Sequence, residues 1–332
     1  MAELRKDTIS GRWIIVNTDD PKEPKDFEQK RYEHKGGPCP FCYGNEFMTP
    51  PEIDAIRHED TQRNTPGWLV RVVPNKFPVL QIEGNLDSRG IGIFDMTNGI
   101  GAHEVVIETP YNDKSLTDLS DEEVAMGIEM FCRRSLDLKK DSRFKYILIF
   151  KNHGVLAGAS IRHEHSQLIA LPMVPKNVVE ELNGAERYYE LRERCIFCDI
   201  IRQELQDKER IVCENSDFVS FCPFVSRFPF EIHIYPKKHE VHFCALESSK
   251  RINLARALKE VLLRLKISLS DPAFNFVIHT SPLIGNNYEY YHWHMEIIPR
   301  ISPVAGFEWG TGFYIVSTPP EVAIRYLREA KV

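Results

Sequence analysis

Within His163-Glu164-His165-Ser166-Gln167, two imidazoles and a carboxamide stand at every second position. An extended chain places alternate side chains on one face, so His163, His165 and Gln167 are expected to point the same way. A neutral imidazole is a good nucleophile or metal ligand near neutral pH, and a carboxamide N–H donates to an oxygen that gains charge during reaction. Just upstream, residues 152–160 (Asn-His-Gly-Val-Leu-Ala-Gly-Ala-Ser) are the small and polar types that let a loop offer backbone N–H groups and a hydroxyl to an anion. Chemistry at a phosphate fits all of these parts.

The cysteines point to metal. Of 8, four form the pairs Cys39/Cys42 and Cys195/Cys198, each with the spacing of zinc ligands. One such pair would read equally as a redox dithiol, but the second stands at the matching place in the other half of the chain, which favours two structural zinc sites. Thiolates with imidazoles make the tetrahedral sites that zinc prefers. Site two is expected to hold Cys195, Cys198, His239 and His292, and site one Cys39, Cys42 and His163. The fourth ligand of site one stays open. Asn112 stands eight residues after Glu104, as His239 stands eight after Glu231; its carbonyl oxygen or a water completes the site, or His103 does, or the metal is weakly held. Cys132, Cys213, Cys222 and Cys244 are read as small core residues.

These sets need a duplicated scaffold. His163 and His292 are 129 residues apart, as are His165 and His294, while Glu104 and Glu231 are 127 apart. So small a drift in register is what internal duplication produces. Alternating or β-branched runs bounded by Gly, Pro or Asn mark strands at 68–73, 90–94, 103–108, 146–150 and 166–171, then at 218–222, 231–235 and 274–279. Helices are expected over 116–139, where Asp118 or Ser120 can cap and Asp121-Glu122-Glu123 suits the first turn, and over 248–269. A charged helical stretch at 172–194 is the candidate link. The expected domains are 1–180, carrying the catalytic motif, and 181–332, carrying the second zinc site.

Composition narrows the class. The 332 residues are 42% hydrophobic and 27% charged, ordinary for globular domains. With 42 Lys+Arg against 48 Asp+Glu the net charge is −6, so no basic excess is available for a nucleic-acid backbone. No apolar run approaches the ~20 residues of a membrane span and no signal peptide opens the chain, so a cytoplasmic protein with no membrane partner is expected.

Several motifs together resemble the galactose-1-phosphate uridylyltransferase family of the histidine-triad superfamily: Glu3-Leu4-Arg5-Lys6-Asp7 with Gly11-Arg12-Trp13, Cys39-Pro40-Phe41-Cys42, Val73-Pro74-Asn75-Lys76-Phe77, residues 152–167, and His292-Trp293-His294. The resemblance spans nearly the whole chain. It implies an α+β fold of two histidine-triad-like repeats, each an antiparallel sheet with helices packed on one face, and a homodimer. It also implies ping-pong nucleotidyl transfer. His165 would attack the α-phosphorus of a nucleotide sugar, release a sugar 1-phosphate and pass the nucleotide to a second phosphorylated acceptor. Gln167 would donate to a non-bridging oxygen, Asn75 and Phe77 would contact the nucleoside, and Asn152, Gly158 and Ser160 would hold the phosphates.

The sequence departs from the family pattern at three places. Glu164 replaces the usual Pro between the motif histidines, and Asn112 falls where a first-site zinc ligand is expected. In the substrate segment Phe307, Trp309, Gly310, Thr311 and Gly312, the last two stand where a Tyr-Glu pair would meet the hexose. That segment resembles the branch containing plant ADP-glucose phosphorylase. The expected function is UDP-glucose:galactose-1-phosphate uridylyltransferase; the alternatives are an ADP-sugar phosphorylase and a non-catalytic, zinc-stabilised nucleotide-binding protein.

Overall fold

The structure, a computed structural model, describes residues 2–27, 37–285 and 287–332. The chain opens with β1 (Glu3–Lys6) and β2 (Trp13–Val16), followed by β3 (Asp54–Arg57), β4 (Trp68–Pro74), β5 (Arg89–Ile91), β6 (Phe94–Met96) and β7 (Ala102–Ile107). Helix α1 (Asp121–Leu138) precedes β8 (Tyr146–His153) and β9 (His165–Leu171). Then come α2 (Lys176–Arg192), α3 (Ile196–Asp207), β10 (Ile211–Glu214), β11 (Phe218–Phe221), β12 (Ile232–Pro236), α4 (Ser248–Ser268), β13 (Phe274–His279) and β14 (His294–Pro299). The chain closes with α5 (Gly306–Thr311), β15 (Tyr314–Val316) and α6 (Pro320–Glu329).

Ten strands form one antiparallel sheet in the order β10-β11-β12-β14-β13-β8-β9-β7-β4-β3. Read outward from the β8–β13 seam, the first set runs β8-β9-β7-β4-β3 and the second β13-β14-β12-β11-β10, so the two five-strand sets share one plan. At the seam Asn152 lies opposite Asn275. A separate small sheet joins β1, β2 and β15.

The strands' alternation divides the sheet into two faces. One carries Val106, Ile147, Ile149, Leu168, Ile234, Phe276 and Met295, which are buried in a single core with Ile128 and Phe131 of α1 and Leu258 and Val261 of α4. Each such side chain contributes about 1.5–3 kcal/mol by leaving water. The other face carries His103, His165, Gln167, His279, His294 and Glu296, as the pairing register requires. Over the second half that face is covered by α2 and α3, whose Val178, Phe197 and Ile201 pack with Tyr146 and Tyr235. Gly184 of α2 lets the chain turn at Ile9 come close; a Cβ there would stand 1.7 Å from the Ile9 carbonyl oxygen.

Local chemistry sets the boundaries. Helix α1 starts five residues later than the expected 116, because Ser120 accepts from the Glu123 N–H and the Glu123 carboxylate takes the Ser120 N–H, a reciprocal cap. The run at 90–94 is not one strand: Gly92, with φ +60°, turns it into the β5–β6 hairpin. Among the described residues, no helix is long and apolar enough to cross a membrane.

Candidate active site

His163 is buried and its Nδ1 lies 3.3 Å from Cys39 Sγ and 3.6 Å from Cys42 Sγ. Its Nε2 is 2.6 Å from the Thr109 carbonyl oxygen. A carbonyl only accepts, so Nε2 carries the hydrogen and the Nδ1 lone pair faces the sulfurs, the arrangement of a metal-ligating imidazole with a backbone partner behind it.

The second cysteine pair repeats this geometry with one more imidazole. Cys198 Sγ is 3.3 Å from His239 Nδ1 and 3.6 Å from His292 Nδ1, and His292 Nε2 is 3.0 Å from the Pro236 carbonyl oxygen. Thr109 and Pro236 are 127 residues apart, so the backbone support is duplicated along with the ligands. Cys195, Cys198, His239 and His292 bring four ligand atoms within 4.8 Å of one another, while Cys39, Cys42 and His163 bring three. Both groups can hold a metal ion. Asn112 meets Cys42 through its backbone N–H, and His103 is engaged elsewhere, with Asn75 and Gln167, so it is not the missing ligand.

Two residues beyond His163, strand β9 begins with His165. Its Nδ1 donates to the His163 carbonyl at 2.7 Å, which leaves the Nε2 lone pair free for attack. Burial, reinforced by the Lys151 charge, pushes its pKa down to about 4, so the ring is neutral at physiological pH. Phe41, from inside the first cysteine pair, meets His163 and His165 edge-on at 6.0 and 5.2 Å between ring centroids and is itself buried against Val105 and Ile107 of β7. The turn that carries the first cysteine pair thereby packs against both imidazoles.

Behind the same strand lies a buried charge cluster that pattern reading missed. Lys151 Nζ bonds Glu108 and Glu164 and donates to the His165 carbonyl at 3.0 Å, and Ser166 Oγ donates to Glu108 at 2.6 Å. Glu164, the residue in place of Pro, is therefore a structural anion: burial alone would raise its pKa, yet Lys151 and His153 hold it at about 2. The available signal was a lysine directly after the apolar run Tyr146-Ile147-Leu148-Ile149-Phe150, since a buried cation requires carboxylate partners.

The remaining candidate contacts spread more widely. Gln167 Oε1 lies 2.8 Å from His103 Nε2, and Asn75 is tied to His103 and to the Phe77 N–H. Phe77 is 81% exposed beside this group. Asn152 accepts from Asn275 across the seam at 2.8 Å. Gly158, at φ +90°, closes the turn before exposed Ser160. Phe307, Trp309, Gly310 and Thr311 lie in α5, capped by Gly312, and lead into β15 of the small sheet rather than into the sheet bearing His165; Trp309 is 80% exposed.

The second half repeats the setting of His165. His294 Nδ1 donates to the His292 carbonyl at 3.2 Å, as His165 does to His163. It lines a cavity of about 790 Å³ with Tyr146, Phe197, Tyr235, His279 and Glu296. Here His279 is paired with Glu181 at 3.1 Å and Glu296 at 3.2 Å; burial disfavours its charge, but the two carboxylates raise its pKa to about 10. These residues with His294 also gather ligand atoms within 4.8 Å.

The C-terminal domain of galactose-1-phosphate uridyl transferase matches residues 181–306, and the N-terminal domain of a family of unknown function, DUF4931, matches residues 95–174. ADP-glucose phosphorylase of Arabidopsis thaliana is 36% identical over 337 residues, covering 99% of this chain and 93% of that protein. The chain belongs to the galactose-1-phosphate uridylyltransferase family of nucleotidyltransferases. Galactose-1-phosphate uridylyltransferase of Thermotoga maritima is 29% identical, covering 100% of this chain and 99% of that one. The crystal structure of an ADP-glucose phosphorylase from Arabidopsis thaliana with bound ADP-glucose superposes with a TM-score of 0.85 at 35% identity, covering 100% of this chain and 99% of the other. In this chain the neutral imidazole of His165 and the carboxamide of Gln167 share one sheet face.

Proposed function

We propose that the chain is an ADP-sugar phosphorylase working through a nucleotidyl-histidine on His165. Neutral His165 attacks the α-phosphorus of the nucleotide sugar with its Nε2 lone pair. A P–N bond forms as the bond from that phosphorus to the bridging oxygen breaks, and sugar 1-phosphate leaves with the electron pair. An oxygen of inorganic phosphate then attacks the same phosphorus, the P–N bond breaks, and nucleoside diphosphate is released. Gln167 donates to the non-bridging oxygens as they gain charge.

The observation that carries the phosphorylase reading over the uridylyltransferase reading is the 36% identity with the Arabidopsis phosphorylase along 99% of the chain. Thr311 and Gly312 agree with it, since neither offers the Tyr-Glu pair expected against a hexose phosphate. The uridylyltransferase reading retains support from the Thermotoga relative. We assign zinc to both Cys-His groups, two ions per chain, with Asn112 or water completing the first. The reading carries a cytoplasmic homodimer and a duplicated chain divided into residues 1–180 and 181–332.

The test is product analysis with two substrate pairs. ADP-glucose with phosphate should yield ADP and glucose 1-phosphate faster than UDP-glucose with galactose 1-phosphate exchanges. Faster exchange in the uridine pair would make the chain a uridylyltransferase. Label from the nucleotide should remain on the wild-type protein and be absent from His165→Asn; labelled His165→Asn would show that another group is the nucleophile. No turnover of either pair, with tight nucleotide binding, would leave the non-catalytic reading.

A further inference from the structure

We infer that His103 is a positioning residue that fixes which end of the Gln167 carboxamide faces the reacting phosphate. The inference rests on the nucleotidyl-transfer reading of the His165 site.

Strands β7 and β9 pair with His103 opposite Ile169 and Val105 opposite Gln167. His103 and Gln167 are therefore diagonal neighbours on the face that carries His165, within reach of each other's side chains. His103 is 8% exposed, and burial lowers its pKa, so the ring is neutral and carries one hydrogen. The backbone N–H of Val79 donates to Nδ1 at 3.3 Å. A nitrogen that accepts this hydrogen bond has none of its own to give, which puts the ring hydrogen on Nε2.

Two carboxamides meet Nε2, Gln167 through its oxygen Oε1 at 2.8 Å and Asn75 through its nitrogen Nδ2 at 3.0 Å, and Nδ2 is a donor, so of the two only Gln167 offers an acceptor. The Asn75 oxygen already accepts the Phe77 N–H at 2.9 Å. The Gln167 oxygen is thus the acceptor for Nε2–H. A carboxamide is planar with oxygen and nitrogen on opposite sides, so turning its oxygen to His103 turns its two N–H donors away, toward the side of the strand face where His165 stands two residues earlier. The reverse orientation would aim an oxygen lone pair at a phosphate oxygen and repel the charge that builds there. The chain from the Val79 amide through His103 to Gln167 selects the donating orientation before substrate arrives, which is preorganisation of the kind that raises kcat more than binding.

Two measurements decide the point. The first uses ¹⁵N-detected NMR of the imidazole side chains in the wild-type protein, with His103→Gln for assignment. Hydrogen on Nε2 of His103 is the expected result, and hydrogen on Nδ1 overturns the inference whether or not the protein turns over any nucleotide sugar. The second is a double-mutant cycle. His103→Leu should lower kcat on the preferred nucleotide sugar at least tenfold with KM changed less than about threefold, and His103→Gln, which keeps an N–H donor, should recover part of the loss. In a Gln167→Ala background His103→Leu should cost less than twofold more. Equal losses in both backgrounds would mean that His103 does not act through Gln167. A wild-type protein with the Nε2–H tautomer but no nucleotidyl transfer would refute the functional reading and leave the orientation established.

Discussion

Replacing Lys151 with methionine keeps a similar volume but leaves two carboxylates without their cation. The site is closed to water: Lys151 is 1% exposed, Glu108 and Glu164 4% each. Removing one partner from a buried ion pair costs about 3–5 kcal/mol, because the remaining charge stays desolvated and uncompensated. An unfolding entropy of about 2.1 cal/mol/K per residue, applied to 332 residues, is about 0.7 kcal/mol/K by the same scaling. The variant should therefore melt about 4–7 °C below the wild type if the chain unfolds as one unit. Differential scanning calorimetry at pH 7 reads this directly. Adding Glu164→Gln to Lys151→Met removes one of the two stranded carboxylates and should return about half of the loss, whereas Glu164→Gln alone should destabilise. A fall below 1 °C for Lys151→Met, or a double variant that loses the sum of the two single effects, would refute the account of Lys151 as the counter-ion that holds β8 to β9 behind His165.

The two metal groups should differ in grip. Elemental analysis is expected to find two zinc ions per chain; a chelator should remove the one held by Cys39, Cys42 and His163 first, and Cys198→Ser should abolish only the other. Simultaneous release would contradict the difference in protein ligands, three against four. Stability should also fall as pH rises between about 6.5 and 10. His279 has its folded pKa raised to about 10, so its contribution is full below the unfolded value of ~6.5 and is lost as pH passes through the folded one. Chemical denaturation at pH 6, 8 and 10 should show this slope in the wild type and a flatter one in His279→Gln; parallel slopes would remove His279 as its source.

Spacing made a good part of the site legible. The cysteine pairs with His163, His239 and His292 were readable because metal coordination needs few residue types at short, fixed intervals, and the structure gathers those side chains. The alternation through His165 and Gln167 was readable because a strand repeats every two residues. The strand Phe274–His279 and helix Ser248–Ser268 follow from the same periodicities. Less legible were partners brought from other strands. Nothing local links Lys151 to Glu108, or Val79 to His103; each pair is distant in sequence and meets only in the folded chain. His103 illustrates the cost, since proximity in pattern made it a candidate metal ligand while register turns it toward Gln167.

Residue order by itself determined the chemistry on offer: a nucleophilic imidazole, a donor beside it, two thiolate-imidazole sets, and a duplicated plan to carry them. The tertiary structure decided protonation and direction. It is the His163 carbonyl that directs the His165 lone pair to Nε2, the Thr109 carbonyl that turns His163 Nδ1 toward the sulfurs, and burial against Lys151 that keeps His165 neutral. These depend on distances of about 3 Å between specific atoms, and a hydrogen bond or a desolvated charge exists only once folding has set those distances.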